Sequence, residues 1–279
     1  MYKNRKTEPA LAPIGVFDSG VGGLTVVREI MRQTPSERIV YFGDTARVPY
    51  GSKSKNTILR YSRQIIRFLR TQNVKAIVVA CNTASALALP DIQKELDIPI
   101  IGVVQPGAKV AAETTRQKKV GIIGTEATVN SAIYTHMIQA VDPDIQVISR
   151  ACPLFTPLVE EGWLKDPVTE QVAARYLDTF KESDIDTLIL GCTHYPLLRS
   201  LIGRLMGNSV QLVNPAYETA SALKNLIEQE DLCNPIPPQL QNDMYQFYVS
   251  DAADKFKQFA NSILPYDIET TKQINIEEY

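Results

Sequence analysis

The sequence has few cysteines and histidines and lacks a long hydrophobic run. Only four cysteines and two histidines occur in 279 residues, and no two cysteines have the C-x-x-C spacing. This pattern excludes a disulfide framework and the usual zinc motifs, so we expect no metal. No apolar stretch approaches the roughly 18–20 residues that cross a bilayer, and the polar N-terminus lacks the apolar segment of a signal peptide. We therefore expect a cytoplasmic protein with no membrane partner.

The chain also lacks an excess of either charge sign. Its formal net charge is −2, so the basic surface that is typical of nucleic-acid-binding proteins is absent. Hydrophobic residues make up 44% of the chain, which is enough to bury a sizeable core in one large domain or two modest ones. We therefore expect a globular protein without a nucleic-acid partner.

Apolar runs alternate with amphipathic stretches along the chain. We predict strands at residues 14–17, 38–42, 75–80, 100–104, 119–123, 145–148, 187–190 and 210–213. Between them, apolar side chains recur at helical spacing, as in Ile58, Ile65 and Leu69. We also predict helices at 129–140, 218–228 and 252–262 and a strand at 244–249. This alternation is typical of the α/β class, in which helices cover both faces of a parallel sheet.

The two halves of the chain have a similar layout. The segment Gly15-Val-Phe-Asp-Ser-Gly20 is matched by Gly121-Ile-Ile-Gly-Thr-Glu126, and each half later reaches an apolar run that ends in cysteine. This repetition predicts two pseudo-symmetric open parallel-sheet domains with a cleft between them. We assign residues 13–104 and 217–279 to the first domain and 105–216 to the second. Residues 1–12 are predicted to be a flexible tail.

A glycine-rich turn, Asp18-Ser-Gly-Val-Gly-Gly23, follows the first predicted strand. Backbone N–H groups of such a turn at a helix start suit an anion. The dinucleotide motif would need glycine where Thr25 stands, and the phosphate-loop ending is missing. We therefore predict that Asp18 and Ser19 bind the ammonium and carboxylate of an amino acid. The alternative is that Asp18 only caps the following helix.

Cys81 and Cys192 end equivalent apolar runs in the two halves. Each would lie beyond the carboxyl end of a parallel strand, where ligands bind in open α/β sheets, and would precede a helix start. A lone cysteine at such a place is usually a small buried hydrophobe, but an equivalent pair indicates function. Two opposed thiols suit a reaction that removes a proton from one face of a carbon and returns one to the other, which is a racemisation. His194 could exchange a proton with Cys192.

Other candidate residues carry weaker signals. We assign Cys152 and Cys233 to structure because neither ends an equivalent strand, and His136 to a helix surface. Glu160 and Glu161 by themselves indicate no more than a solvated helix end. The sequence shows no local signature of lysine-based pyridoxal chemistry, so we expect no cofactor.

Five motifs follow one another in the chain: Phe17-Asp-Ser-Gly-Val-Gly-Gly23, Val48-Pro-Tyr-Gly51, Ala80-Cys-Asn-Thr-Ala84, Glu160-Glu-Gly162 and Gly191-Cys-Thr-His-Tyr-Pro196. In this order the chain resembles the glutamate racemases of the aspartate/glutamate racemase superfamily, over roughly residues 14–220. The resemblance implies a cofactor-independent interconversion of L- and D-glutamate at a site between two α/β domains. It also implies that the product D-glutamate supplies peptidoglycan synthesis.

The resemblance further implies roles for individual residues. Cys81 would handle the proton on the D face of the substrate and Cys192 the proton on the L face. Asp18 would assist Cys81, and Glu160 and His194 would assist Cys192. The implied substrate contacts are Asp18, Ser19, Tyr50, Gly51, Asn82, Thr83, Thr125, Thr193 and His194.

Two other interpretations stay open at this point. The chain could racemise aspartate or another amino acid with the same thiols, although the Thr193-His194 pair is typical of the glutamate branch. It could also act as an inhibitor of DNA gyrase, an activity reported for some members of the family; only the basic Lys3, Arg5 and Lys6 would favour this. The oligomeric state also stays open, a homodimer being one option.

Overall fold

Parallel strands form two separate sheets in the part of the chain that the computed structural model describes, residues 7–238 and 243–279. The strands are β1 (Ile14–Asp18), β2 (Ile39–Gly43), β3 (Ala76–Val79), β4 (Ile100–Gly102), β5 (Lys119–Gly124), β6 (Gln146–Ala151), β7 (Thr187–Gly191), β8 (Gln211–Val213), β9 (Tyr245–Val249) and β10 (Lys272–Gln273). All of their pairings are parallel, as predicted for buried sheets covered by helices.

Helices surround both sheets. They are α1 (Thr7–Ala10), α2 (Leu24–Gln33), α3 (Lys55–Thr71), α4 (Asn82–Leu87), α5 (Leu89–Ile92), α6 (Val104–Thr114), α7 (Glu126–Asn130), α8 (Ile133–Val141), α9 (Phe155–Glu160), α10 (Pro167–Leu177), α11 (Arg199–Met206), α12 (Pro215–Gln229) and α13 (Ala253–Ile263). Short 3₁₀ turns lie at Tyr50–Ser52, Asp178–Phe180, Tyr195–Leu198 and Ile276–Glu278. None of the helices within the described ranges is long and apolar enough to cross a membrane.

The two sheets repeat one strand order. The first sheet has the order β10-β9-β2-β1-β3-β4, and the second has the order β6-β5-β7-β8. In each, the first strand of the unit lies between the second and the third, and the fourth lies outside the third. The predicted fold class, with two pseudo-symmetric parallel sheets, is therefore confirmed.

The chain leaves the first sheet after β4 and returns to it after β8. Val104, Ala108 and Ala111 of α6 pack in the core of the second sheet. The strand β9 then pairs with β2 in the first sheet, and α12 buries Ala220 and Leu223 in the first core. The division into residues 13–104 with 217–279 and residues 105–216 remains a prediction.

The predicted helix at 129–140 is wrong, because the chain breaks it into α7 and α8. Ala132 between them has a left-handed φ of +53°. Ser131 causes the interruption: its hydroxyl donates to the Thr128 carbonyl at 2.7 Å and accepts from the Ile133 N–H at 3.3 Å. Such side-chain bonds to the backbone compete with the helix ladder.

The predicted tail of residues 1–12 contains a short helix. Residues 7–10 form α1, and Ala10 is buried. The Ala10 carbonyl accepts a hydrogen bond from Lys75 Nζ at 2.6 Å, next to the start of β3. Residues 1–6, with the basic side chains of Lys3, Arg5 and Lys6, lie outside the described residues.

Candidate active site

A cavity of about 380 Å³ lies where the carboxyl ends of the two sheets meet. Its walls are made by the segments that follow β1, β2, β3, β5, β6 and β7 and by one face of α9. The predicted site residues that line it are Ser19, Tyr50, Gly51, Cys81, Asn82, Thr83, Thr125, Glu160, Cys192, Thr193 and His194. Asp18 lies behind this wall and is fully buried.

Cys81 follows β3 and is the N-cap of α4. Its Sγ accepts a hydrogen bond from the Ala84 N–H at 3.5 Å, an arrangement that favours the thiolate. Burial and the nearby charge of Asp18 act in the opposite direction and raise the pKa of Cys81 to about 12. Cys81 is therefore a thiol at neutral pH and is ready to donate a proton.

Asp18 ends β1 and connects the two domains. Its Oδ2 accepts from the Gly20 N–H at 2.9 Å, and its Oδ1 accepts from the Thr193 hydroxyl at 3.4 Å. Burial raises the pKa of Asp18, although the charge of His194 and the turn's backbone N–H groups partly offset the rise. Gly23, rather than Asp18, is the N-cap of α2. Asp18 therefore does not occupy the N-cap position, although the backbone N–H of Gly23 also acts on its carboxylate.

Gly22 lets the turn after β1 touch the second domain. A Cβ atom at this position would lie 2.3 Å from Thr193 Oγ1 and 2.5 Å from His194 Nδ1. Such distances are impossible for a side chain, so only glycine allows this approach. The turn therefore closes one end of the cavity against the segment that carries Cys192.

Cys192 follows β7 and has two polar neighbours. Its Sγ lies 3.7 Å from His194 Nδ1 and 3.7 Å from Thr156 Oγ1. The expectation that a helix starts directly after this cysteine is wrong, because the 3₁₀ turn Tyr195–Leu198 comes first. The sulfur therefore relies on side chains, rather than on the N-terminus of an α-helix, for its polar contacts.

The buried His194 pairs with the partly exposed Glu160 beside Cys192. His194 Nε2 lies 3.0 Å from Glu160 Oε1. Burial by itself would lower the pKa of His194, but the hydrogen bonds to Cys192 and Glu160 raise it to about 10. Burial would raise the pKa of Glu160, but the bond to His194 and its charge hold that pKa below its ordinary value. The resulting imidazolium lies beside the Cys192 sulfur and can donate a hydrogen bond to it from Nδ1.

Tyr50 and Gly51 lie in a 3₁₀ turn over the cavity. The Tyr50 hydroxyl donates to the buried carboxylate of Asp44. Arg47 Nε also donates to that carboxylate, at 2.8 Å and 3.0 Å from its two oxygens. A Cβ atom on Gly51 would lie 2.8 Å from Thr125 Cβ, so this turn also touches the second domain closely.

A chain of hydroxyl groups crosses the cleft. Thr83 Oγ1 lies 3.0 Å from Thr125 Oγ1, which donates to Thr128 Oγ1 at 3.0 Å. The Tyr134 hydroxyl donates to Asn82 Oδ1 at 2.7 Å. The two domains thus present fixed hydroxyl and amide groups to the cavity, which suit the carboxylates and ammonium of an amino acid.

Residues outside the predicted site also line the cavity, among them Val48, Pro153 and Thr156. Thr156 is the one that contacts a thiol. Its position four residues before Glu160 places both side chains on one face of α9, and this spacing was the signal that sequence analysis overlooked. Cys152 packs in the core of the second domain, and Cys233 and His136 are exposed.

The fold and the site together define an α/β isomerase of the amino-acid racemase class. The model of the Asp/Glu/Hydantoin racemase family matches residues 14–223. The chain belongs to this family.

Similar sequences include proteins named as glutamate racemases. The chain is 47% identical to a glutamate racemase of Geobacter metallireducens over 264 residues, which cover 95% of this chain and 97% of the relative. It is 49% identical to a glutamate racemase of Neisseria meningitidis over 265 residues, covering 95% of this chain and 97% of the relative.

Solved structures agree with these matches. The glutamate racemase of Francisella tularensis, in complex with D-glutamate, is similar with a TM-score of 0.89 and 38% identity over 97% of this chain and all of that one. The glutamate racemase of Thermus thermophilus, in complex with β-chloro-D-alanine, is similar with a TM-score of 0.87 and 44% identity. That match covers 97% of this chain and 99% of the other.

Proposed function

We propose that this chain interconverts L- and D-glutamate without a cofactor, by means of two cysteine acid/base groups. The observation that carries the proposal is that Cys81 and Cys192, which follow equivalent strands of the two sheets, line one cavity. The relatives named as glutamate racemases, and the structure in complex with D-glutamate, support glutamate as the substrate.

The reaction begins with L-glutamate between the thiols. The Cys192 thiolate takes the α-proton, and the electron pair of the broken C–H bond moves into the α-carboxylate. The Cys81 thiol then gives its proton to the opposite face of the α-carbon, which yields D-glutamate. This step leaves Cys192 as a thiol and Cys81 as a thiolate, the state from which D-glutamate returns to L-glutamate.

The neighbouring groups restore the thiols. Asp18, whose pKa burial raises, can hold a proton and exchange it with Cys81. Once Cys192 is a thiol, His194 passes its Nε2 proton to Glu160 and takes the thiol proton at Nδ1, which restores the Cys192 thiolate. Positioned acids and bases of this kind contribute about 10² to 10⁴ in rate.

The remaining predicted residues would hold the substrate. The hydroxyls of Ser19, Thr83 and Thr125 and the amide of Asn82 line the cavity and can donate to the two carboxylates. Donors that are fixed before the substrate binds also stabilise the charge that develops on the α-carboxylate when the proton leaves. In other racemases a pyridoxal cofactor accepts these electrons; here the hydrogen-bond donors would stabilise the charge instead.

We place this reaction in the cytoplasm, where it would supply D-glutamate for peptidoglycan. The described cysteines are all free thiols, and thiols persist in a reducing compartment. The supply of D-glutamate to the cell wall is an expectation that comes with membership of the family.

The experiment that tests the proposal is a racemisation assay on the purified protein without any added cofactor. We expect L-glutamate to lose its optical rotation completely and L-aspartate to lose it far more slowly. Protein inactivated by heat serves as the control. Faster racemisation of aspartate than of glutamate would contradict the substrate assignment, and no loss of rotation with either would contradict the activity.

A further inference from the structure

Thr156 touches a reacting atom although no motif singled it out. Its side chain lies on the cavity wall, in the first turn of α9, and its Oγ1 is 3.7 Å from Cys192 Sγ. This is the same distance as that from Sγ to His194 Nδ1. The thiol therefore lies between a histidine and a hydroxyl.

The Thr156 hydroxyl makes no hydrogen bond to the backbone of α9 in the described part of the chain. Helical threonines commonly donate to the carbonyl three or four residues earlier, as Thr219 does to Pro215 at 2.6 Å. The carbonyl four residues before Thr156 is that of Cys152, and it accepts from the Tyr195 hydroxyl at 2.8 Å. Within residues 7–238 and 243–279, Cys192 Sγ is the hydrogen-bond partner of the Thr156 hydroxyl and it has no other.

A hydroxyl suits a sulfur that alternates between two protonation states. It can donate to the thiolate and accept from the thiol by rotating about its C–O bond. A protonated imidazole can only donate, so His194 favours the thiolate alone. A hydroxyl and an imidazole on one sulfur would thus keep it hydrogen-bonded both before and after it takes the proton.

The other thiol also has a hydroxyl neighbour. Ser19 lines the cavity together with Cys81, and its side chain acts to lower the pKa of that thiol. Ser19 follows β1, and its equivalent after β5 is Thr125, which instead caps α7 by accepting from the Thr128 N–H. Thr156 is therefore the hydroxyl neighbour of the second thiol, as Ser19 is of the first. It comes from α9, a segment that the internal repeat does not predict.

We propose that Thr156 is a further catalytic residue, which stabilises the thiolate of Cys192 by donating a hydrogen bond to it. The proposal rests on the proposed function for its kinetic consequence only, because the contact itself bears on the reactivity of Cys192. Several titratable groups also face this sulfur. They are His194, which Glu160 supports, and Cys81, Cys152, Tyr134 and Tyr195.

The first test measures the thiolate directly. Iodoacetamide alkylates thiolates, and mass spectrometry of the peptides separates Cys192 from Cys81 in one sample. Thr156→Val keeps the shape of the side chain but removes the hydroxyl. We compare the rates below the pH at which alkylation of Cys192 reaches its plateau, where the rate is proportional to the thiolate fraction. There we expect alkylation of Cys192 to slow about tenfold, the effect of one hydrogen bond to an ionised group, while that of Cys81 keeps its rate.

Two further variants make the comparison strict. Thr156→Ser restores a hydroxyl and should return the alkylation rate to within about twofold of the wild-type value. Thr71→Val removes a hydroxyl of α3 that donates to the Phe68 carbonyl and accepts from Gln72 Nε2, and it should change neither rate. An unchanged Cys192 rate in Thr156→Val would overturn the proposal, as would a loss that serine does not restore.

The second test is kinetic. The acid limb of the pH profile of kcat/KM for L-glutamate reports the group that must be ionised in the free enzyme. We expect Thr156→Val to move this limb to higher pH, and Thr156→Ser to return it. A variant that only deforms the pocket would lower kcat/KM without moving the limb, and this result would overturn the proposal.

The two tests separate this proposal from the racemase assignment. Alkylation needs no turnover, so its result decides the role of the Thr156 hydroxyl even if the wild-type protein fails to racemise glutamate. In that event the proposed function fails and the thiolate contact stands or falls on the alkylation rates alone.

Discussion

The hydroxyl of Thr193 lies 3.4 Å from Oδ1 of Asp18, so the segment that carries the second cysteine holds the acid that lies beside the first. The Thr25 hydroxyl donates to the Thr193 carbonyl at 2.9 Å and fixes this contact from the first domain. The charge of His194 acts on the pKa of Asp18 across the same interface. The two halves of the site are therefore electrostatically coupled, and a change in one half should affect the other.

Removal of either thiol should abolish racemisation. In Cys81→Ala or Cys192→Ala, one face of the substrate loses its acid or base, so the proton cannot be replaced with inversion. Optical rotation of L- and D-glutamate measures the loss. Cys233→Ala, at an exposed position, is the control and should keep turnover within a few-fold. Normal racemisation by Cys192→Ala would exclude the two-base mechanism.

Asp18→Asn and His194→Asn should affect opposite directions of the reaction. Asp18→Asn removes the group that takes the proton from Cys81, so its main loss should be in kcat from D to L. His194→Asn should lower kcat mainly from L to D, with losses of about 10² to 10⁴. Since the equilibrium constant cannot change, kcat/KM must fall equally in both directions. Near-normal kcat and KM in both directions would make these residues structural.

The stability that His194 contributes should depend on pH. Its pKa is raised to about 10 in the folded protein, whereas the pKa of an unfolded histidine is about 6.5. The contribution is therefore fully present below about pH 6.5 and is lost as the pH rises through about 10. We expect the difference in unfolding free energy between wild type and His194→Gln to shrink over that range in urea titrations.

The matched control for this titration is His136→Gln, because His136 is exposed on α8. Its unfolding free energy should follow that of the wild type at every pH. A difference between wild type and His194→Gln that stays constant from pH 6 to pH 10 would show that the histidine is not protonated in the folded protein.

The buried pair of Lys75 and Glu37 should matter for stability and not for catalysis. Their charged atoms lie 2.5 Å apart, and the side chains are 2% and 3% exposed. Lys75→Met leaves the carboxylate buried without its partner, which costs about 3–5 kcal/mol. Urea unfolding should show this loss, while kcat/KM stays unchanged because the pair lies at the opposite end of the sheet from the cavity.

Lys224→Met is the control for this prediction. Lys224 is half-exposed and lies 4.0 Å from Glu228 on α12, so its loss should cost at most about 0.5 kcal/mol. Adding Glu37→Gln to Lys75→Met should recover part of the stability, because the buried charge is then gone. A loss below about 1 kcal/mol in Lys75→Met would contradict the account of this pair.

The strands and the two cysteines could be predicted because their signals are local. Buried parallel strands are continuous apolar runs, and each cysteine ends one of them. The break at Ala132 could not be predicted, since apolar periodicity continues through it and only the side-chain bonds of Ser131 interrupt the helix. The two-residue strand β10 is too short and polar to be recognised.

The contacts between distant residues of the site could not be predicted either. Thr193 and Asp18 are 175 positions apart, and Thr156 and Cys192 are 36 apart. The first contact depends on how the two domains face each other, and the second depends on how α9 packs beside the end of β7 within the second domain. No local pattern encodes either arrangement. The motifs therefore name most residues of the candidate site, but not which side chain acts on which.

The central claim is that two different groups handle the proton on the two faces of the α-carbon. The measurement that tests it most directly is racemisation of L-glutamate in heavy water, with samples analysed during the first few per cent of conversion. We expect the D-glutamate formed to carry deuterium from Cys81 at its α-carbon, while the remaining L-glutamate keeps its original proton. D-glutamate that retains the substrate's own α-proton would show that one group serves both faces, and would contradict the account.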